Sequence, residues 1–143
     1  MNRPARLFLD ANVLISAAWK DGSKVARIWQ IENVELVTSD YVLDECWRNL
    51  PLAHQQNRLR HLLQSVRILQ FTAQPELETS PLALPPKDQP VFAAAVIARA
   101  NYLITGDRNH FGAWYGRTIL GLRIEPPGSF PEILTTGQTR PEE

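Results

Sequence analysis

The stretch "DQPVFAAAVIARAN" leaves this chain few folds to choose from. It is apolar almost all round, so the helix it predicts must be covered on every side rather than lie on a surface. Asp88 stands where an N-cap belongs, and Pro90 falls in the first turn, where the missing N–H does no harm. The helix runs into "YLIT", a short β-leaning segment that stops at Gly106-Asp107. A buried helix feeding directly into a strand is the repeating unit of a parallel sheet with helices on its faces.

The rest of the chain follows the same alternation. Arg6 to Leu9 reads as a first strand and is followed by a helix that continues through Trp19 and breaks at Asp21-Gly22. From Ser23 to Ile31, Val25, Ile28 and Trp29 recur at helical spacing. "VELVTS" reads as a second strand, and Ser39 caps the helix "DYVLDECWRNL", with a stripe of Val42, Leu43, Cys46, Trp47 and Leu50. A longer helix is expected from Leu52 to Leu69 on the spacing of Leu59, Leu62, Leu63, Val66 and Leu69. Pro75, Pro81, Pro85 and Pro86 keep the following segment out of any central element, with at most an edge pairing at Leu77 to Thr79. "TILGLRI" reads as a fourth strand and a short helix is expected after Pro131. Residues 1–135 therefore form one domain, and 136–143 a flexible tail.

Composition excludes more than it selects. Fifteen basic residues balance fifteen acidic ones, so bulk charge points to neither a nucleic-acid nor a membrane binder. Any polyanion has to be held locally. The single Cys46 cannot close an internal disulfide, and no apolar run approaches the ~18 residues of a membrane span, so the expected location is a reducing cytoplasm with no membrane contact.

The informative residues are acids placed against apolar runs. In "LFLDANVLISA" the chain interrupts its own core with Asp10 and Asn12. Ligands of an open parallel sheet bind beyond the carboxyl ends of its strands, and Asp10 and Asp107 both close strands. Asp88, which opens the buried helix, returns to that edge, and Glu45 can lean back toward it. Four carboxylates gathered in one place repel one another, which a divalent cation relieves. Hard oxygen donors with room for water select Mg²⁺ or Mn²⁺.

The ordered set "LFLDANVLISA", "TSDYVLDECWRNL", "KDQPVFAAAVIARANYLITGDRNHF" and "GLRIEPPGSFPEIL" resembles the motifs of PIN domains, most closely those of VapC-like toxins. The likeness covers residues 5–135. It implies a three-layer α/β/α fold around a central, mainly parallel sheet of four to five strands. It also implies a metal-dependent single-strand endoribonuclease, the toxin of a type II toxin–antitoxin pair, which hydrolyses RNA phosphodiesters with metal-activated water. By the same resemblance Asp10, Glu45, Asp88 and Asp107 are the catalytic, Mg²⁺- or Mn²⁺-holding residues. Asn12, Thr105 and Asn109 support them, and Arg108, His110 and Arg117 are the candidate RNA contacts. An antitoxin and a second copy of the chain are the implied partners. "LPPKD" departs from the pattern, with Pro86 and Lys87 where relatives often carry acids, as does Asn109 after Asp107.

Each residue also has a plainer reading. Asp10 and Asp88 would serve as helix caps, Asp107 as a turn residue, and Asp44 competes with Glu45 because the two flank opposite edges of one stripe. His110 would pack or form a surface hydrogen bond, and Arg58, Arg60, His61 and Arg67 would be a solvated helix face. Two other functions fit: a catalytically weak PIN domain used to bind RNA or protein, and a haloacid-dehalogenase-type phosphatase, which also puts an aspartate after its first strand.

Overall fold

A computed structural model describes residues 3–128. The expected helix after Pro131 and the tail at 136–143 lie outside them. The strands are β1 (Ala5–Leu9), β2 (Val34–Ser39), β3 (Val66–Leu69), β4 (Tyr102–Ile104), β5 (Thr118–Ile119) and β6 (Leu122–Glu125). The helices are α1 (Ala11–Trp19), α2 (Asp40–Arg48), α3 (Ala53–Leu63), α4 (Gln89–Ile97) and the one-turn α5 (Arg108–Phe111), with a 3-10 helix at Lys24–Gln30.

Among the described residues the six strands form one sheet in the order β3-β2-β1-β4-β6-β5. Every neighbouring pair is parallel except β5 with β6. β1 sits between β2 and β4, with Phe8 opposite both Val37 and Leu103. The chain leaves β1 toward β2 and β3, then crosses back through α4 to β4. Right-handed crossovers in opposite directions put helices on opposite faces, which completes the three layers. The order reverses between β1 and β4, and that switch point is where a ligand crevice opens. Among the described residues no helix is long and apolar enough to cross a membrane.

Burial follows the patterning. Leu7, Phe8 and Leu9 are buried on a strand covered on both faces. In α4, Pro90, Val91, Phe92, Ala93, Ala94 and Ala95 are all buried, so this helix is enclosed as its composition requires. Cys46 lies in the core, and burial pushes its thiol up to about 12, helped by the nearby charges of Glu45 and Asp10.

The sheet has six strands rather than four or five for two reasons. The helix expected over residues 52–69 stops at Leu63, and "VRIL" becomes β3 beside β2, with Leu36 opposite Val66. A short apolar run fits helical and extended periods equally well, and the exposed edge of β2 decided between them. "TILGLRI" is not one strand but a hairpin, because Leu120 (φ 55°) and Gly121 (φ 82°) both adopt the left-handed conformation that a two-residue turn requires. No strand forms at Leu77 to Thr79.

The basic face of α3 also has more structure than a solvated surface. Arg58 donates to the carbonyls of Ala18 (3.0 Å) and Trp19 (3.1 Å), closing the end of α1, and pairs with Asp21. Arg60 lies over the Trp47 ring, and Arg67 is in β3 rather than on a helix.

Candidate active site

Asp10 follows β1 and opens α1 at the switch point. Its Oδ1 accepts from the Ala11 N–H (2.7 Å), and its Oδ2 accepts from the Thr105 hydroxyl (2.8 Å) and the Asn12 amide (3.3 Å). It therefore caps the helix while lying close enough to Asp88 and Glu45 for their charges to act on it. Its carboxyl is buried, and its pKa is raised from 3.8 to about 6, first by desolvation and further by the charges of Asp88 and Glu45. The Thr105 and Ala11 hydrogen bonds oppose that rise only in part.

Asn12 and Thr105 tie the two central strand ends together. The Asn12 amide oxygen accepts from the Gly106 N–H (2.6 Å), while its nitrogen reaches Asp10 and the Thr105 hydroxyl (3.4 Å). Thr105, fully buried, also accepts from the Asp107 N–H (3.1 Å). A Cβ on Gly106 would stand 3.2 Å from the Asn12 oxygen, so glycine lets this clamp close. Below it, the Tyr115 hydroxyl donates to the Thr105 carbonyl (2.7 Å), a brace with no signal in the sequence.

Asp107 caps the short α5 through the His110 N–H (3.2 Å). Asp88 occupies the N-cap position of α4, yet its side chain makes no capping hydrogen bond there, contrary to the sequence expectation. The carboxylate turns toward His110 instead, its Oδ2 2.8 Å from the ring Nδ1 and buried without a hydrogen bond. Desolvation and then Asp107 push the Asp88 pKa up. The Tyr41 hydroxyl donates to the Lys87 carbonyl (2.8 Å), holding the segment before Asp88 against α2.

Glu45 and Asp44 separate cleanly. Asp44 is exposed, whereas Glu45 is half-buried and its charge raises the pKa of Asp10, Asp88, Cys46 and Tyr41. Among the described residues no lysine or arginine forms an ion pair with Asp10, Glu45, Asp88 or Asp107. The cation-capable group in contact is His110, whose Nδ1 lies 2.7 Å from Asp107 Oδ2 and 2.8 Å from Asp88 Oδ2. The sequence placed His110 on the substrate side; its three-residue offset from Asp107, one helical turn, is the signal that pointed into the acids.

The remaining candidates lie further out. Arg108 and Asn109 are exposed on α5 beside the crevice. Arg117 stacks on Trp114 (5.2 Å to the ring centroid), next to the outer strand β5. A buried acid not foreseen in the sequence, Glu125 at the end of β6, is paired with Arg123.

Among the described residues these oxygen donors have no lysine or arginine paired to them, and Asp88 Oδ2, beside His110, is buried without a hydrogen bond, a donor set that suits a hard divalent ion. The arrangement stands at the switch point of a parallel α/β sheet. The family model for the PIN domain matches residues 6–109, and the chain belongs to the PIN-domain family. That membership sets aside the haloacid-dehalogenase alternative. No curated protein sequence matches the chain. Among solved structures it is similar to VapBC2 from Rickettsia felis bound to a DNA fragment from their promoter. The likeness has a TM-score of 0.59 at 20% identity, and covers 85% of this chain and 98% of that one.

Proposed function

We propose that this PIN domain is a metal-dependent single-strand endoribonuclease, the toxin of a toxin–antitoxin pair. The observation that carries the reading is Asp88 Oδ2, buried without a hydrogen bond beside Asp107 and His110, with Asp10 and Glu45 close enough for their charges to act and, among the described residues, no arginine or lysine ion-paired with any of the four acids. Asp10, Asp88 and Asp107 would hold Mg²⁺ or Mn²⁺, with Glu45 reaching it directly or through water. When bound, such an ion acidifies water and offsets charge developing on a phosphate.

The chain's own residues supply position. Thr105 and Asn12 fix the Asp10 carboxylate, so its oxygens need no reorganisation when substrate arrives. Asn12, through Gly106, sets the distance between the ends of β1 and β4. Arg108, exposed on α5 next to Asp107, would take an RNA phosphate, which positions the strand without reading its bases. The structural likeness to a VapBC complex supports an antitoxin partner for this chain, and a dimer is proposed on the family pattern.

Incubation of the purified protein with an unstructured RNA tests the reading. Cleavage is expected with Mg²⁺ or Mn²⁺, lost on chelation and lost in Asp10→Asn. Absence of metal-dependent cleavage, or an Asp10→Asn variant as active as the parent, would leave the domain as a binding module.

A further inference from the structure

His110 hydrogen-bonds Asp107 Oδ2, and that bond leaves its second carboxylate contact, to Asp88, without a use. Its ring nitrogen carries at most one hydrogen toward this side, yet Nδ1 stands within 2.8 Å of two carboxylates on different elements. The aligned contact goes to Asp107 Oδ2, and Asp88 Oδ2 is left buried without a hydrogen bond. One nitrogen and two carboxylate oxygens thus lie within 4.8 Å of one another. Adjacent ligands on a six-coordinate ion with bonds of ~2.1 Å stand about 3 Å apart. The two nitrogen–oxygen spacings here are already close to that and the third spacing is within 4.8 Å, so a small adjustment would let His110, Asp88 and Asp107 meet one ion.

We infer that His110 Nδ1 is a direct ligand of the ion held by Asp88 and Asp107, and that this nitrogen tilts the site toward Mn²⁺ over Mg²⁺. The inference rests on the metal-dependent reading above and adds to it a donor and a selectivity. Mg²⁺ takes oxygen and water almost exclusively, whereas an imidazole nitrogen is accepted by manganese and later transition metals. Ligation requires the Nδ1 lone pair to face the ion and the hydrogen to sit on Nε2. The His110 side chain is 32% exposed, so the far nitrogen can meet solvent and the ring has room to adjust by a few tenths of an ångström. The protein's other histidines, His54 and His61, lie on α3 and take no part in this cluster.

Pulsed electron paramagnetic resonance on the Mn²⁺-loaded wild-type protein tests this without reference to activity. Coupling to one imidazole ¹⁴N is expected, absent in His110→Asn and retained in His61→Asn. Competition binding should show the Mn²⁺:Mg²⁺ affinity ratio falling about tenfold in His110→Asn, since the asparagine leaves only an oxygen donor. Mn²⁺ that binds, depends on Asp107 and shows no nitrogen coupling overturns ligation by His110 and leaves the metal site standing. Mn²⁺ that fails to bind, or binds equally to Asp107→Asn, overturns both.

Discussion

Glu35, near the start of β2, and Asp10, just past the end of β1, stand at opposite edges of one sheet, and their environments push them in opposite directions. Glu35, across from Arg6 in the register, accepts from the Arg6 guanidinium (2.8 Å) and from Arg67 (3.4 Å). The Arg6 hydrogen bond, chiefly, holds its carboxyl below the ordinary range. Beside it, at the amino ends of β1, β4 and β6, a cavity of about 840 Å³ is lined by Arg3, Arg6, Arg99 and Arg123. At the carboxyl edge Asp10 has only neutral donors, and desolvation raises it to about 6. A chain with no net charge has therefore segregated its charges. At one edge arginines pair with Glu35; at the other no lysine or arginine among the described residues pairs with Asp10, Asp88 or Asp107, and a bound cation is what the proposed function adds there.

That contrast breaks most visibly in activity. Asp107→Asn should lower metal-dependent RNA cleavage by at least about 100-fold, since removing a donor costs more than the 10–100-fold typical of an outer partner. The check is single-turnover cleavage at saturating Mn²⁺, with the variant's thermal midpoint confirming that it folds.

Stability against pH comes next in size. Between about 3.8 and 6 the unfolded chain gives up the Asp10 proton while the folded one keeps it, so the native state binds more protons and loses stability as pH rises. The loss approaches roughly 2–3 kcal/mol above pH 6 at 1.36 kcal/mol per pKa unit. Glu35 works the other way: its contribution is present above its ordinary value of 4.5 and is lost as pH falls through its lowered pKa. Urea melts of metal-free protein from pH 4 to 7 should show the Asp10 decline, flattened in Asp10→Asn. An unchanged slope in that variant would remove Asp10 as its source.

Thr105→Val tests the clamp rather than the charge. The hydroxyl donates to Asp10 and accepts from the Asp107 N–H, so its loss strands a buried acceptor and a donor, a cost of about 1–3 kcal/mol in denaturant unfolding. Cleavage should fall as well. Smallest of all is Arg67→Ala at the balanced edge. Its guanidinium is 63% exposed and 3.4 Å from Glu35, so stability should move by no more than about 0.5 kcal/mol and cleavage not at all.

How much of this was legible in the sequence depended on whether a feature was local. The enclosure of α4 follows from composition alone, and the capping of α2 by Ser39 from one residue type before an apolar stripe; the Val42 N–H does donate to its side chain (3.2 Å). Asp10 stood out because an aspartate inside an apolar run is expensive unless something uses it, whereas Glu45 was set apart from Asp44 only by the family pattern. Strand β3 was not, since "VRIL" fits a helix until the edge of β2 offers it hydrogen bonds. Asp88 looked like a cap because cap and crevice-facing acid share one position, and only the direction of its side chain separates them. His110 needed the third dimension: its proximity to Asp107 is local, but its contact with Asp88 joins two distant elements. Tyr115 and Glu125 carry no pattern at all.

The most direct test of the central claim is an anomalous difference map from crystals soaked in manganese. Density is expected at the carboxyl ends of β1 and β4, within ligand distance of Asp10, Asp88 and Asp107. A map without density there, with those carboxylates turned apart or paired to arginines, would contradict it.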